Sequence, residues 1–315
     1  MRFYDIFNGD ADGICALHQL RLAEPRDATL VTGVKRDIRL LERVPAEKGD
    51  RLTVLDISLR ENAPALKQVL DRGAVVVYFD HHAAGEVPAH PALAAHIDTA
   101  PDVCTSLLVD RHLRGRHRAW AVVAAFGDNL AESALAAAAP LGLQPADVQR
   151  LRELGEAMNY NAYGETPDDL HYHPADLYEV VSRYANPFEF IAGEPVFEVL
   201  RAACADDLAR AEEARQAAAG RTAAFVFPDA AWSRRIHGIF ANRQALAHPE
   251  RAHAVLVQSG GGYKVSVRAP LTRPAGAEAL CSRFPTGGGR EAAAGINHLP
   301  EAELEKFLRE FAQAF

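Results

Sequence analysis

The sequence predicts an α/β protein with a doubly wound parallel sheet, followed by a second, smaller α/β domain. Near-continuous apolar runs alternate with helical stretches near the N-terminus, a pattern typical of parallel strands that are buried on both faces. A later segment contains further β-type runs and a glycine-rich hairpin. The length of 315 residues fits two domains, at roughly 150 residues for each.

The predicted elements of the first domain follow in order along the chain. Residues 2–7 form a strand that ends in the turn Asn8-Gly9-Asp10-Ala11-Asp12-Gly13, and a helix covers residues 14–22. A weaker strand at 31–34 is followed by a strand at 52–57, a helix at 61–72 and a strand at 74–79. Helices rich in alanine and leucine fill 102–154, and the tyrosine-rich stretch 158–190 is expected to be an ordered connection.

The second half begins with a long helix predicted over 194–220, with Gly220 as its stop. β-type runs follow at 223–227, 254–258 and 263–267, and Ser259-Gly260-Gly261-Gly262 joins the last two as a hairpin. Apolar residues with helical spacing predict a C-terminal helix over 300–315. We therefore expect a first domain at 1–190, a helical linker at 191–220 and a second domain at 221–315.

The composition is that of a globular protein, with 49% hydrophobic and 24% charged residues. No apolar run reaches the length of a membrane span, and no export signal is visible, so we expect a cytoplasmic protein without a membrane partner. The 4 cysteines lie far apart and predict reduced thiols. A net charge of −8 argues against binding of long nucleic acid, but it leaves small phosphorylated substrates open.

Acidic residues stand directly after the predicted strands. Asp10 and Asp12 follow the first strand, Asp56 lies near the end of a later one, and the next closes in Asp80-His81-His82. Because the carboxyl ends of parallel strands meet at one edge of a sheet, these side chains are expected to lie together. Such a cluster of anions needs cations, and carboxylates with few imidazoles favour Mn²⁺ or Mg²⁺ over zinc.

Each of these features has an ordinary explanation when it is taken alone. An Asp-Gly pair is common in turns, an aspartate at a strand end often caps a helix, and a histidine pair is commonly exposed surface. Their occurrence in this order, each at a strand end, favours a centre for two divalent ions.

With these motifs the chain resembles the DHH phosphoesterases, a family named after the motif that Asp80-His81-His82 matches. Asp10-x-Asp12-Gly13 and Asp56 match the earlier motifs of the family. The run Gly287-Gly288-Gly289-Arg290 is similar to the glycine-rich motif of the accompanying DHHA1 domain. The resemblance covers nearly the whole chain, and it implies a DHH domain followed by a DHHA1 domain with the active site in the cleft between them.

The resemblance also implies a role for each matching residue. The ligands of two divalent ions, most simply Mn²⁺ with Mg²⁺ as the other choice, would be Asp10, Asp12, Asp56, His81 and Asp128. Asp80 would orient a neighbouring side chain, and His82 would contact the phosphate or the leaving group. Thr105 and Ser106 would open the helix beside the site.

On the substrate side, the resemblance implies that Arg268 and the glycines Gly287, Gly288 and Gly289 hold phosphate, with His298 as a weaker candidate. Two positions depart from the family pattern. Asn8 stands where RecJ-like members have an acidic residue, and Arg290 stands where histidine is common. Arg290 would hold phosphate and, with His82, stabilise the developing charge, but an arginine cannot move a proton at neutral pH.

The resemblance implies a phosphodiesterase, and its two domains together with the acidic net charge lead us to expect short linear substrates, especially 5′-phosphorylated dinucleotides, which are converted to mononucleotides. A phosphatase that acts on a small nucleotide bisphosphate or a phosphoanhydride is an alternative, because the metal half would be shared. A catalytically weakened nucleotide-binding module is another, motivated by Asn8 and Arg290. Base preference, linear against cyclic dinucleotides and dimerisation stay open.

Overall fold

The chain forms two compact units, Met1–Arg201 and Ala202–Phe315. The structure is a computed structural model that describes residues 1–218 and 220–315. Among the helices in these ranges, none combines the length and the apolar character needed to cross a membrane.

Unit 1 contains a sheet of five parallel strands in the order β2-β1-β3-β4-β5. These strands are β1 (Phe3–Phe7), β2 (Thr29–Val31), β3 (Arg51–Leu55), β4 (Val75–Asp80) and β5 (Leu93–Ile97). From β1 the chain passes to β2 on one side of it and then returns to form β3 on the other side of β1. In open α/β sheets, ligands bind at such a switch point, outside the carboxyl ends of the strands. The predicted doubly wound parallel sheet is confirmed.

The helices of unit 1 are α1 (Ala11–Ala23), α2 (Leu59–Asp71), α3 (Thr105–His112), α4 (Arg118–Gly127), α5 (Ala131–Ala138), α6 (Pro145–Asn161), α7 (Pro174–Val181), α8 (Pro187–Gly193) and the start of α9 (Pro195–Glu212). Alternate strand residues face two different helical layers. Phe7 and Leu55 pack with α1, α3, α4 and α6, whereas Ile6 and Val54 pack with α2. Both faces of the sheet are therefore buried, as the continuous apolar runs predict.

Several elements of the chain differ from the sequence-based expectation, and two strands of unit 2, Gly287–Gly289 and Ala293–Pro300, were not predicted. Strand β2 ends at Val31 and does not cover the predicted range 31–34, and β5 was not predicted because Leu-Ala-Ala-His-Ile has little β-branched character. The long helix predicted over 194–220 ends at Glu212, and β6 (Arg215–Ala218) follows it. Antiparallel pairing with the next strand overrides the helical preference there. Residue 219 of that predicted helix lies outside the described residues.

Unit 2 contains a mixed sheet in the order β10-β11-β9-β8-β7-β6. Its further elements are β7 (Thr222–Phe227), α10 (Ala231–Ala247), β8 (Ala252–Ser259), β9 (Gly262–Arg268), α11 (Ala277–Cys281), β10 (Gly287–Gly289), β11 (Ala293–Pro300) and α12 (Leu304–Ala314). Strands β8 and β9 form the predicted hairpin. Phe225 and Phe227 contact Phe240 of α10, and Phe307 and Phe311 of α12 belong to the main core of the unit.

Candidate metal centre

The turn after β1 places Asp10 at the start of α1. Its Oδ1 accepts hydrogen bonds from the backbone N–H groups of Asp12 and Gly13, both at 3.1 Å, so Asp10 is the N-cap of the helix. Position 13 requires glycine because a Cβ atom there would lie 2.1 Å from the carbonyl oxygen of Asn8. The pattern Asp-x-Asp-Gly therefore has a local structural reason as well as a chemical one.

Asp12 lies against the start of α3. Its two carboxylate oxygens accept hydrogen bonds from the N–H groups of Thr105 and Ser106, each at 2.7 Å. The hydroxyl of Ser106 donates in turn to the backbone oxygen of Asp12 at 2.9 Å. Thr105 and Ser106 do open a helix beside the cluster, and the N-terminus of that helix favours the negative charge of Asp12.

Asp56 follows β3 with a left-handed backbone, φ 60°, a conformation that aspartate tolerates better than most residues. The carboxylate is 2% exposed and accepts a hydrogen bond from the Thr105 hydroxyl at 3.0 Å. Burial, and then the negative charges of Asp12, Asp10 and Asp128, raise the pKa of Asp56 well above its usual value. Without a cation, the cluster therefore disfavours the charged form of this carboxyl.

Asp80 and His82 form a hydrogen-bonded pair at the end of β4. Asp80 is fully buried, and its Oδ1 accepts a hydrogen bond from Nδ1 of His82 at 2.8 Å. Burial alone would lower the pKa of His82, but the hydrogen bond and charge of Asp80 outweigh it, and the pKa is raised. The His82 side chain is 43% exposed, so its Nε2 is available to a ligand.

His81 is oriented by the backbone. Its Nδ1 lies 2.8 Å from the carbonyl oxygen of Val103 and donates to it, which leaves the lone pair on Nε2. That nitrogen lies 3.4 Å from Asp56 Oδ1 and 3.6 Å from Asp128 Oδ2. Two carboxylate oxygens beside Nε2 favour a positive charge at this place, and a divalent ion with the imidazole as a ligand would supply it.

Asp128 comes from the opposite side of the cluster, as the C-cap of α4. The next residue, Asn129, has φ 61°, so the chain turns sharply as soon as the helix ends. Burial raises the pKa of Asp128; Lys35 opposes this, and the charges of Asp12 and Asp10 add to it. The structure thus brings together the five predicted metal ligands, which are Asp10, Asp12, Asp56, His81 and Asp128.

Lys35 also belongs to the cluster, although sequence reasoning missed it. It follows β2, and its Nζ lies 2.5 Å from Asp10 Oδ2 and 3.0 Å from Asp128 Oδ1. Burial alone would lower the pKa of Lys35, but the charges of Asp10 and Asp128 outweigh it and raise the pKa well above its usual value. The same contact keeps the pKa of Asp10 low despite its burial. In the sequence, Val-Lys-Arg-Asp looks like an ordinary exposed turn, so no signal marked it.

The donor set fits a divalent metal ion. Among the described residues, two groups have ligand atoms within 4.8 Å of one another: Asp56 with His81 and His82, and Asp12 with His81 and Asp128. Carboxylate oxygens with one or two imidazole nitrogens suit Mn²⁺ or Mg²⁺. A cation at this place would stabilise the charged form of Asp56 and could take Nε2 of His81 as a ligand.

A cavity of ≈ 350 Å³ lies over β9, β10 and β11 in unit 2. Its polar lining includes Lys264, Ser266, Arg268, Gly288, Gly289 and Asn297. Arg268 is held in place because its Nε donates to Oδ1 of Asn242 at 2.7 Å. Gly289 has φ 148°, and a Cβ atom there would lie 2.5 Å from Ala294 Cα. The cavity therefore combines cationic side chains with accessible backbone, a combination suited to phosphate.

Three of the predicted substrate residues, Gly287, Arg290 and His298, stand apart from this lining. Arg290 is exposed in the turn between β10 and β11, where it exchanges backbone hydrogen bonds with Ala293. His298 is exposed on β11, and its backbone N–H donates to the hydroxyl of Thr286 at 2.8 Å. Their roles stay predictions, whereas Arg268, Gly288 and Gly289 do share one cavity.

Solved structures of similar fold cover almost the whole chain. An exonuclease RecJ bound to manganese has a TM-score of 0.60 at 19% identity, over 99% of this chain and 90% of its own. The pGpG-specific phosphodiesterase PggH from Vibrio cholerae has 0.58 at 12%, over 100% and 99%. An exopolyphosphatase-related protein from Bacteroides fragilis has 0.54 at 14%, over 99% and 91%.

Sequence comparison alone gives no such match. A scan against protein-family models finds none that fits, and a search of curated proteins finds none either. The structure therefore shows the fold: the chain has the fold of the DHH phosphoesterases, as the motifs predict. The similar proteins are described as an exonuclease, a dinucleotide phosphodiesterase and an exopolyphosphatase-related protein, so the fold leaves the substrate to be argued from the site.

Proposed function

We propose that this protein is a metal-dependent phosphodiesterase that hydrolyses short linear oligonucleotides, especially 5′-phosphorylated dinucleotides, to mononucleotides. The observation that carries the proposal is the buried cluster at the switch point of the parallel sheet, where strand ends deliver carboxylates and imidazoles to one place. A divalent ion bound there lowers the pKa of water and neutralises phosphoryl oxygens.

The residues of the chain have separate tasks in this proposal. Asp12, Asp56, His81 and Asp128 hold metal, and the N–H groups that open α3 hold Asp12 in its position. His82 donates a proton from Nε2 to the leaving oxygen, because Asp80 holds its other ring nitrogen and favours its charged form. Protonation makes the departing nucleotide oxygen a better leaving group.

Short substrates are supported by charge and by comparison. The net charge of −8 opposes long polyanions, while the cavity with Lys264 and Arg268 offers a local site for one phosphate group. The structural likeness to a pGpG-specific phosphodiesterase, over nearly the full length of both chains, supports a linear dinucleotide. The likeness to RecJ bound to manganese supports Mn²⁺ as the ion.

A substrate panel tests the proposal. Phosphorylated dinucleotides, longer oligonucleotides, cyclic dinucleotides and a nucleotide bisphosphate are each incubated with Mn²⁺ and with chelator. We expect metal-dependent release of mononucleotides from the dinucleotides. Orthophosphate release from the bisphosphate would instead support the phosphatase, and binding of dinucleotides without hydrolysis would support the weakened binding module.

Asp56→Asn tests the metal assignment. Asparagine is isosteric, tolerates the left-handed backbone of this position and still accepts the hydrogen bond from Thr105. Loss of partners that merely orient a ligand costs about 10–100-fold in activity, so loss of a direct ligand should cost at least about 100-fold. The matched control is Asp71→Asn, an exposed carboxylate on α2 that pairs with Lys67. Undiminished hydrolysis by Asp56→Asn would refute the assignment.

A further inference from the structure

The ammonium group of Lys35 is held by three oxygen atoms inside the candidate metal centre. Its Nζ lies 2.5 Å from Asp10 Oδ2, 3.0 Å from Asp128 Oδ1 and 3.2 Å from Asn159 Oδ1. An ammonium group has three N–H donors and no acceptor, so these contacts use all of them. The ammonium group of Lys35 therefore occupies the position that a small cation would take if these three oxygens were its ligands.

The position of Lys35 is fixed by further contacts. Its backbone N–H donates to the carbonyl oxygen of Ala162 at 2.9 Å, and its own carbonyl accepts from Nδ2 of Asn8 at 3.1 Å. Nδ2 of Asn159 donates to the hydroxyl of Tyr163 at 2.9 Å, which directs Oδ1 of Asn159 toward the ammonium. Lys35 is thus held at the site by its backbone as well as by its side chain.

Asn8 matches this arrangement chemically. A carboxylate in its place could not donate to the Lys35 carbonyl, because an ionised carboxylate only accepts hydrogen bonds. The amide also brings no negative charge to the end of β1, where Asp10 already pairs with the ammonium. Asn8 and Asp10 together therefore match a single positive charge at this position, which the ammonium group of Lys35 supplies.

The other potential ligands gather around His81. Among residues 1–218 and 220–315, the two groups able to hold an ion both contain His81, and neither contains Asp10. We propose that the ammonium of Lys35 permanently fills one of the two cation positions of the cluster, so that the centre binds one divalent ion beside His81. This inference rests on the metal centre of the proposed function and specifies how many ions it holds.

A second divalent ion at Asp10 would have to displace the ammonium or lie next to it, and like charges at such short range repel strongly. Lys35 is accordingly a positioning residue. It compensates the charges of Asp10 and Asp128, and its N–H groups are all used within the protein.

Metal stoichiometry tests the inference without relying on activity. The full chain, stripped with chelator and titrated with Mn²⁺ by calorimetry, is expected to bind one ion per chain. Its electron paramagnetic resonance spectrum should be that of an isolated Mn²⁺. Lys35→Met keeps the side-chain length and removes the charge, so it should bind two ions that give a spin-coupled spectrum. Lys67→Met, an exposed lysine on α2 that bonds to Asp71, is the matched control and should bind one.

Two coupled ions in the wild-type chain would overturn the inference, and so would an unchanged count in folded Lys35→Met. If that variant does not fold, Lys35→Arg retains the charge and should still bind one ion; a second ion there would count against the role of Lys35. Hydrolysis with two ions bound would overturn the inference and leave the proposed function intact. One bound ion without hydrolysis of any substrate would overturn the proposed function and leave the inference intact.

Discussion

His18 gives unit 1 a stability that depends on pH. Its ring lies in α1, is 1% exposed and packs edge-on against Trp120 with 4.8 Å between ring centroids. Nε2 donates to the carbonyl oxygen of Tyr184 at 2.8 Å, whereas Nδ1 is buried without a partner. Burial therefore lowers the pKa of His18 from 6.5 to about 4. A proton on Nδ1 would have no acceptor in the folded state.

The sign and the size of the effect follow from this pKa. The unfolded chain takes up a proton below pH 6.5 while the folded chain does not, so stability is full above that pH and is lost as the pH falls toward 4. The interval between the two pKa values corresponds to about 3 kcal/mol in all. About 2 kcal/mol of this should be lost between pH 7.5 and pH 5.0.

Urea unfolding at these two pH values measures the loss. Trp232→Phe leaves Trp120 as the fluorescent reporter of unit 1, next to the histidine. In this background His18→Gln, which retains a neutral donor, should lose about 2 kcal/mol less than the parent on acidification. His90→Gln, a loop histidine, should behave as the parent does. An equal loss in His18→Gln and the parent would refute the argument.

Two further predictions concern the proposed function. Thr105→Val removes the hydroxyl that donates to Asp56 at 3.0 Å but keeps the N–H that holds Asp12. We expect the Mn²⁺ affinity, measured by calorimetry, to fall about 10–100-fold with an unchanged fold. An unaltered affinity would contradict the role of Thr105. Arg268→Met removes a cation from the cavity of unit 2. Because a hydrogen bond to a charged group is worth about 1.5–3 kcal/mol, KM for a phosphorylated dinucleotide should rise about 10-fold or more. The value of kcat should change less. A lower kcat at constant KM would show that Arg268 acts in another way.

Much of the fold could be predicted from the sequence because its parallel strands are buried on both faces. Such strands appear as continuous apolar runs, and β1, β3 and β4 were recognised for that reason. Strand β5 lies at the edge of the sheet and is only partly buried, so its composition gives no comparable pattern. Strand β6 is fixed by pairing with β7, an interaction that no local pattern in a helix-favouring segment can reveal.

The candidate site shows the same division between local and distant information. Asp10, Asp12 and Asp56 could be located because each follows a strand, and strand ends meet at one edge. Lys35 could not, since its partners Asp10, Asp128 and Asn159 are 25, 93 and 124 residues away. No periodicity or turn chemistry connects positions so far apart, and only the closed fold brings them within hydrogen-bonding distance.

The charge of the whole chain is consequently a poor guide to the charge of the site. The total of −8 counts every exposed carboxylate equally, although exposed charges are screened by water and salt. Inside the cluster, Asp10 and Asp128 already share the ammonium of Lys35, whereas burial and the neighbouring carboxylates raise the pKa of Asp56, so a cation beside Asp56 is favoured. The binding of metal therefore depends on which carboxylates are left without an internal positive charge. On this reasoning, replacement of Lys35 should change the number of bound ions, whereas a change in the total charge elsewhere on the chain should affect that number less.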